Sequence, residues 1–472
     1  MGYQEPKSRD YGVNLCNGCL EKQREIDRLK EELQRLRQKL SVNQRKSQDG
    51  FFGSSTPSSK VPVKSNSLVE NRAKKGGGQV GHRGVGRQSF KSEAADEQRV
   101  AEVSVENCET CECRLHRMTS NERAVYEIER EKVRKIYYQI ERKVCPRCRK
   151  TLRGKVENAM PRASLSNELI VEAAEQHYVL GRTLGQISER LLINDATLSS
   201  SLKRVGKLLK PCLEKLFAEY RASLIRHADE TSWRTDGGNG WSWYFGSSTV
   251  SVHLFRATRS MSVVKEVLGT GPLTGVLVVD RYGAYNRVPC SIQYCYAHLL
   301  REMDDLEQEF DSQAEVQNYA AQMKLHLTDA MHLRQRGFEE EEYLREAEKI
   351  KVRILALSDR QAVHSAVRRW QDFFVEKADR LYQWCQSSQI PAENNYAERE
   401  IRKVVIARKM SYGSQSEEGA KTREIWTSIL QSLKKREDNP RDKLIKALNK
   451  LSQNEKIDIA EELFGSAESH LA

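Results

Sequence analysis

Two Cys-x-x-Cys pairs, Cys108/Cys111 and Cys145/Cys148, constrain this chain more than any other feature. Each short turn lets two sulfurs converge on one ion, and two such turns supply the four thiolates of a tetrahedral zinc site. The 33 residues between the pairs exceed the usual ribbon spacing but can hold a hairpin. Val125 to Val144 alternates apolar and polar residues in places, as strands do. The spacing therefore predicts a structural Zn²⁺ on Cys108, Cys111, Cys145 and Cys148, with free thiols as the alternative. Cys113 is a spare or a substitute for Cys111. Cys16 and Cys19 have no second pair nearby and read as unbound thiols. The chain has eleven cysteines, an odd number, which argues against a disulfide framework.

Composition narrows the class. Hydrophobic residues make up 38% of the 472, enough for a buried core, while 31% charged residues require strongly solvated parts. The longest apolar runs, such as Val276 to Val279, are far too short to span a bilayer. The N-terminus has no apolar stretch of the secretion-signal kind, so a cytoplasmic, membrane-free protein is expected. A net charge of +12 suits a polyanionic partner, most simply nucleic acid, or an ordinary basic enzyme.

Along the chain, Ile26, Leu29, Leu33, Leu36 and Leu40 follow a 3-4-3-4 spacing that predicts a coiled-coil helix over 20–41. Self-association or packing on its own chain would each use that face. Residues 42–95 form a basic linker rich in Ser and Gly. Between Lys60 and Lys91 it carries eight Lys or Arg and one acid, Glu70. Lys74, Lys75 and Arg83 flank glycines that let backbone approach a phosphate track, or they simply solvate the linker. The zinc-like segment ends in a basic stretch that includes Arg147 and Arg149, a placement that suggests a DNA-facing knuckle. Residues 165–210 look helical. A helix over Thr183–Leu191, a turn at Ile193–Asp195 and a helix over Ala196–Leu208 match a helix-turn-helix, with Lys203 and Arg204 available to DNA.

From Ser223 the chain turns strand-like. Leu224 to Asp229 reads as a strand ending in an acid, and Gly275 to Asp280 as an apolar, β-branched strand ending in another. Strands over Trp241–Ser247, Val250–Ala257 and Ser291–Tyr296, with a turn at Gly237–Gly240 before Trp241 and a helix over Ser260–Leu268, complete a mixed sheet covered by helices. A helical block follows over 302–390. Asp229, Asp280 and Glu398 come from separate elements, and three hard oxygen ligands of this kind suit Mg²⁺ or Mn²⁺. Two ions about 3.5–4 Å apart would clamp the attacking and leaving oxygens of a phosphodiester. Strand-capping acids paired with Arg or Lys are the competing account.

At these residues the chain resembles the insertion-sequence 66 family of bacterial DDE transposases. The matching strings are Gly77-Gly78-Gln79-Val80-Gly81-His82-Arg83-Gly84, the two cysteine pairs, and His227-Ala228-Asp229-Glu230-Thr231-Ser232-Trp233. They continue with Val279-Asp280-Arg281-Tyr282-Gly283-Ala284-Tyr285, Cys295-Tyr296-Ala297-His298 and Asn394-Asn395-Tyr396-Ala397-Glu398-Arg399, then Arg408-Lys409. With the leucine heptads they run in the family's order over nearly the whole chain. Leu299-Leu300-Arg301-Glu302 stands where the family pattern has paired arginines. The first knuckle reads Cys-Glu-Thr-Cys-Glu-Cys, where Cys-Pro-x-Cys-Gly is expected.

The resemblance implies a multidomain α+β fold. Residues 1–41 would carry the cysteine pair and zipper-like helix, and 42–95 the linker. A zinc knuckle would occupy 96–156 and a helix-turn-helix region 157–212. A ribonuclease-H-like core would be built from 213–304 and 391–430, with a helical insertion at 305–390 and a C-terminal helical region at 431–472. Asp229, Asp280 and Glu398 are implied as the metal-binding triad. His298 would contact the scissile phosphate or a flanking strand, or be a packed histidine. Arg399 and Arg402 would hold phosphates or solvate a helix. The implied activity is metal-dependent cleavage and strand transfer at terminal inverted repeats, by a homodimer or larger assembly with accessory proteins of the same element. A DNA-binding regulator derived from an inactive transposase is the rival reading.

Overall fold

The computed structural model describes residues 89–129 and 132–465, together with the helical positions 28, 29 and 32. Cys16, Cys19, Lys74, Lys75, Arg83 and most of the leucine repeat lie outside the described residues. Those residues form a mixed α+β fold with two mixed sheets and fourteen α-helices among them.

The first sheet contains β1 (Glu97–Ala101), β2 (His116–Glu129), β3 (Lys132–Val144) and β4 (Thr151–Arg153). β3 pairs parallel with β1 and antiparallel with β2 and β4. Alternation along β3 buries Ile136, Tyr138 and Ile140 in a small core with Ala101, Val125, Val156 and Ala159. The hairpin expected between the cysteine pairs is therefore present, and it is longer than the alternation suggested.

Helix α1 (Asn167–Ala174) starts on the Ser166 cap and passes into a π-helical turn over Glu175–Val179. α2 (Leu184–Leu191) opens with a capping box between Thr183 and Gln186. It ends at Leu192, whose φ of 53° reverses the chain into α3 (Asp195–Leu208). α4 (Lys210–Ala222) leads to the second sheet.

That sheet contains β5 (Ile225–Thr235), β6 (Gly238–Gly246), β7 (Ser251–Arg256), β8 (Val276–Val279) and β9 (Ser291–Tyr294). Their order is β7-β6-β5-β8-β9, antiparallel on the β7 side of β5 and parallel on the β9 side. α5 (Met261–Leu268) lies in the crossover from β7 to β8. Two sequence expectations are corrected here. The strand carrying Asp229 does not end there: β6 pairs with it as far as Thr235. The turn is not Gly237–Gly240 but Asp236-Gly237, both at positive φ, joining Thr235 to its partner Gly238 in a two-residue hairpin. Gly275 opens β8 at φ 79°, where a Cβ would lie 2.0 Å from the Leu224 carbonyl oxygen. Only glycine lets β8 start this close beside β5.

Beyond β9 come α6 (Tyr296–Glu309), α7 (Ala314–Leu333), α8 (Glu340–Ser358), α9 (Ser365–Glu376) and α10 (Ala378–Leu381), the expected helical block. α11 (Asn395–Ser411) returns to the sheet. α12 (Glu417–Arg436) packs along β7 and is buried almost all round from Thr422 to Leu433. Asn439-Pro440 then breaks the chain as expected, with Asn439 capping α13 (Pro440–Gln453) before α14 (Ile459–Phe464). No helix among the described residues is long and apolar enough to cross a membrane.

Candidate active site and cysteine cluster

The central position of β5 decides where the acids meet. Its parallel pairing with β8 ends at His227↔Val278. Two residues further along the chain from each stand Asp229, inside β5, and Asp280, just past the end of β8, so the same register sets them side by side. Asp229 accepts a hydrogen bond from the Glu230 amide at 2.8 Å, and Asp280 one from the Tyr282 amide at 2.9 Å. Each carboxylate is thus oriented by local backbone.

Glu398 arrives from the first turn of α11, where the helix begins at Asn394. The Asn394 side chain donates to the Ala228 carbonyl at 2.8 Å and accepts from His227 Nδ1 at 2.9 Å. Its backbone amide donates to Cys295 Sγ at 3.1 Å, and the Cys295 amide donates to the Val279 carbonyl at 2.8 Å. β5, β8, α6 and α11 are therefore tied together within one residue of both aspartates. Arg301 places Nη2 3.2 Å from each Glu398 oxygen, and His298 Nδ1 lies 3.7 Å from Oε1. One ligand atom each from Cys295, His298 and Glu398 falls within a 4.8 Å group.

The electrostatics report the same convergence. Burial first, and then the charges of Glu230, Asp280 and Glu398, push Asp229 well above the usual carboxylate range. Glu230 is pushed up to about 7 by burial and by Asp280, against the opposing charge of Arg259. Arg259 bonds Glu230 through Nε at 2.8 Å and lies over the Tyr282 ring at 3.7 Å, while the Tyr285 hydroxyl donates to the same carboxylate. Carboxylates gathered against their own repulsion suit a divalent cation with hard oxygen ligands. Sequence reasoning missed Glu230, Arg259, Arg301 and Asn394. Glu230 and Asn394 stand inside the matched strings, and Arg301 beside one, so adjacency was the available signal.

The four cysteines of the two pairs converge. Cys108 and Cys148 sulfurs are 3.5 Å apart, Cys111 and Cys145 3.2 Å, and all four lie within a 4.8 Å group. The two turns are built alike. The amide of the first cysteine donates five residues ahead, Cys108 to Cys113 and Cys145 to Lys150. The residue after the second cysteine, Glu112 or Arg149, has φ near 60° and donates back to the first cysteine's carbonyl. Cys113 stands outside the group. Backbone N–H bonds, from Thr110 above all, pull Cys108 down to about 6, while the neighbouring sulfurs push Cys111 and Cys148 up, so the four thiols do not ionise independently.

The expected basic residues are scattered. Arg147 and Arg149 are exposed beside the second turn, and Arg399 and Arg402 are exposed on α11. Lys203 is 3.2 Å from Glu418, and the exposed Arg204 donates to the Pro161 carbonyl.

No curated protein matches the chain. Residues 158–422, which hold Asp229, Asp280, His298 and Glu398, match the profile described as Transposase IS66 family. That match covers more than half of the chain, and the protein belongs to the IS66 transposase family.

Proposed function

We propose that this transposase binds the terminal inverted repeats of its insertion sequence, cuts the DNA there and joins the freed ends to target DNA. The single observation that carries the reading is the β5–β8 register that sets Asp229 beside Asp280 at the end of β8, with the charge of Glu398 also acting on Asp229. The strand order β7-β6-β5-β8-β9 supports a ribonuclease-H-like core, with residues 305–390, from late in α6 to beyond α10, as a helical insertion between the second and third acids.

Asp229, Asp280 and Glu398 would hold Mg²⁺ or Mn²⁺. When bound, such ions lower the pKa of a water or a DNA 3′-hydroxyl and neutralise the leaving oxygen. The chain's own part is positional. The Glu230 and Tyr282 amides fix the aspartates, Asn394 fixes the start of α11, and Arg301 aligns the Glu398 carboxylate. His298 borders the same carboxylate, within reach of a phosphate placed there. Hydrolysis at each end and attack of the 3′-hydroxyl on target DNA are both in-line displacements at phosphorus, so one site serves both.

Cys108, Cys111, Cys145 and Cys148 would hold Zn²⁺ and fix the base of the β2–β3 hairpin. Arg147 and Arg149 beside it, and Lys203 and Arg204 on α3, would face DNA as parts of a zinc knuckle and a helix-turn-helix. Joining two ends calls for a dimer or larger assembly, with accessory proteins of the element as further partners.

The test uses purified protein, Mg²⁺ or Mn²⁺ and a plasmid carrying the DNA that flanks the gene. Nicking at the repeat ends and joining to a target are expected for wild type and lost in Asp280→Ala. End binding with both proteins inert, even with the element's other proteins added, would favour the regulator reading instead.

A further inference from the structure

A cavity of about 440 Å³ opens between α2, α3 and the loop that joins α11 to α12, away from the carboxylates. Three helices begin on its wall: α2 at Thr183, α3 at Asp195 and α12 at Ser416. Helix N-termini present backbone N–H groups and the positive end of the dipole. Here they point to a ligand because of Arg423. This side chain lines the cavity, is 5% exposed, and makes no ion pair among the described residues.

Its contacts are all neutral. Arg423 Nη2 meets His177 Nε2 at 2.9 Å, and the guanidinium lies 5.1 Å from the Tyr178 ring and 5.3 Å from the Trp233 ring. His177 Nδ1 faces the Arg182 carbonyl at 2.8 Å, so it carries the hydrogen and Nε2 accepts. The imidazole is therefore uncharged. Lys203 also lines the cavity but is engaged by Glu418. Asp195, the one acid on the wall among the described residues, accepts from the Ala196 amide. Ser414 and Ser416 use their hydroxyl oxygens to accept from Trp233 Nε1 and the Gly419 amide, which leaves both hydroxyl hydrogens to donate.

A buried guanidinium without a carboxylate is costly, and an anion from outside would relieve it. We propose that this cavity binds a phosphate oxyanion, either a backbone phosphodiester of DNA or a free phosphate. Arg423, the Ser414 and Ser416 hydroxyls and the start of α12 would hold it. The DNA source rests on the transposase reading; the oxyanion site does not. The site is anchored on the strand that carries Asp229. The Ser414 amide donates to the Arg234 carbonyl at 2.8 Å, and the Asp236 amide donates back to Ser414 at 2.9 Å.

Thermal unfolding of the full chain in inorganic phosphate, against chloride at matched ionic strength, is the first arm. Wild type is expected to gain a few degrees, saturably, as a ligand binding only the folded state must produce. Arg423→Gln and Ser199→Asp are expected to lose that gain. Ser199 lines the same cavity, and its substitution leaves Arg423 in place should the first variant fail to fold. No saturable gain in wild type, or an undiminished gain in Ser199→Asp, overturns the proposal. The second arm measures duplex DNA affinity against salt. A slope lower by about 0.9 in Arg423→Gln assigns the site to a backbone phosphate. An unchanged slope, with the phosphate response lost, assigns it to free phosphate. Metal-dependent cleavage is read separately, so the transposase reading stands or falls on its own.

Discussion

The Asn394 side-chain amide donates to the Ala228 carbonyl at 2.8 Å, one residue before Asp229 and one helical turn before Glu398. This bond spans the 166 positions that separate the two residues in the chain and holds the start of α11, which carries Glu398, against β5, which carries Asp229. Removing it lets the start of α11 drift, and a displacement of about 1 Å at a reacting centre costs about 10²-fold in rate. Asn394→Ala is expected to lower kcat for end cleavage by that order while leaving KM for DNA little changed. The orphaned Ala228 carbonyl and His227 ring should also cost about 1–3 kcal/mol of stability. Cleavage kinetics beside chemical denaturation would check both. Lost stability with an unaltered kcat would reduce Asn394 to a fold-holding role.

Acid should unfold this protein early, for reasons visible in two histidines. His227 is 7% exposed and burial holds its pKa down at about 4; His253 is 0% exposed and burial holds it at about 3. Both are depressed below the ordinary histidine value near 6.5. The unfolded chain therefore binds these protons first as pH falls. The stability from keeping the rings neutral is complete above about pH 6.5, and it drains until the folded pKa values are reached. Each ring contributes a slope of about 1.4 kcal/mol per pH unit in that window. Denaturation midpoints between pH 7 and 4.5 would show it, and His253→Leu should flatten the limb. An equally steep limb in that variant would assign the acid sensitivity to other groups.

Much of this was legible in the sequence. The β-branched run Val276–Val279 and the apolar pattern before Asp229 specify strands, because burial on both faces demands them. The cysteine spacing specified the four-sulfur group without help from anything else. What sequence could not give was pairing. Register, not spacing, sets Asp229 beside Asp280, and nothing local says that β6 would extend β5 to Thr235. Arg301 and Arg259 were invisible because their partners, Glu398 and Glu230, are distant in the chain. Leu192 at φ 53° was equally hidden, since a turn of that geometry usually announces itself with glycine or asparagine.

The cysteine cluster should behave as a fold element. Among the described residues the apolar core around it is only Cys108, Leu115 and Cys145, with a few half-buried neighbours. Too little surface is buried there to order two turns, so metal binding must supply the rest. Metal analysis is expected to find one Zn²⁺ per chain, lost in Cys145→Ser and on strong chelation. Protease should then cut between about residues 105 and 155, while the helices and the second sheet resist. Cutting spread through the second sheet would mean that the two parts unfold together.

The last prediction concerns the edge of the second sheet. β7 would present unpaired amides, yet Ser251, His253 and Phe255 each donate at 2.9 Å to Ser432 Oγ, Ser428 Oγ and Glu424 Oε1. The match is geometric. Four residues of helix rise about 6 Å, and two residues of strand advance about 6.6 Å, so every fourth side chain of α12 meets every second amide of β7. A helix thereby does the work of a sixth strand and closes an edge open to aggregation. Ser428→Ala leaves the His253 amide buried without its acceptor, which costs about 1–3 kcal/mol. Adding Ser432→Ala should cost less than the sum, because a loosened edge strand has already lost part of the second bond's support. Hydrogen exchange resolves the mechanism. The amides of Ser251 and His253 should speed up in the variants while those of β8 hold, and uniform acceleration across the sheet would mean that α12 stabilises the core as a whole.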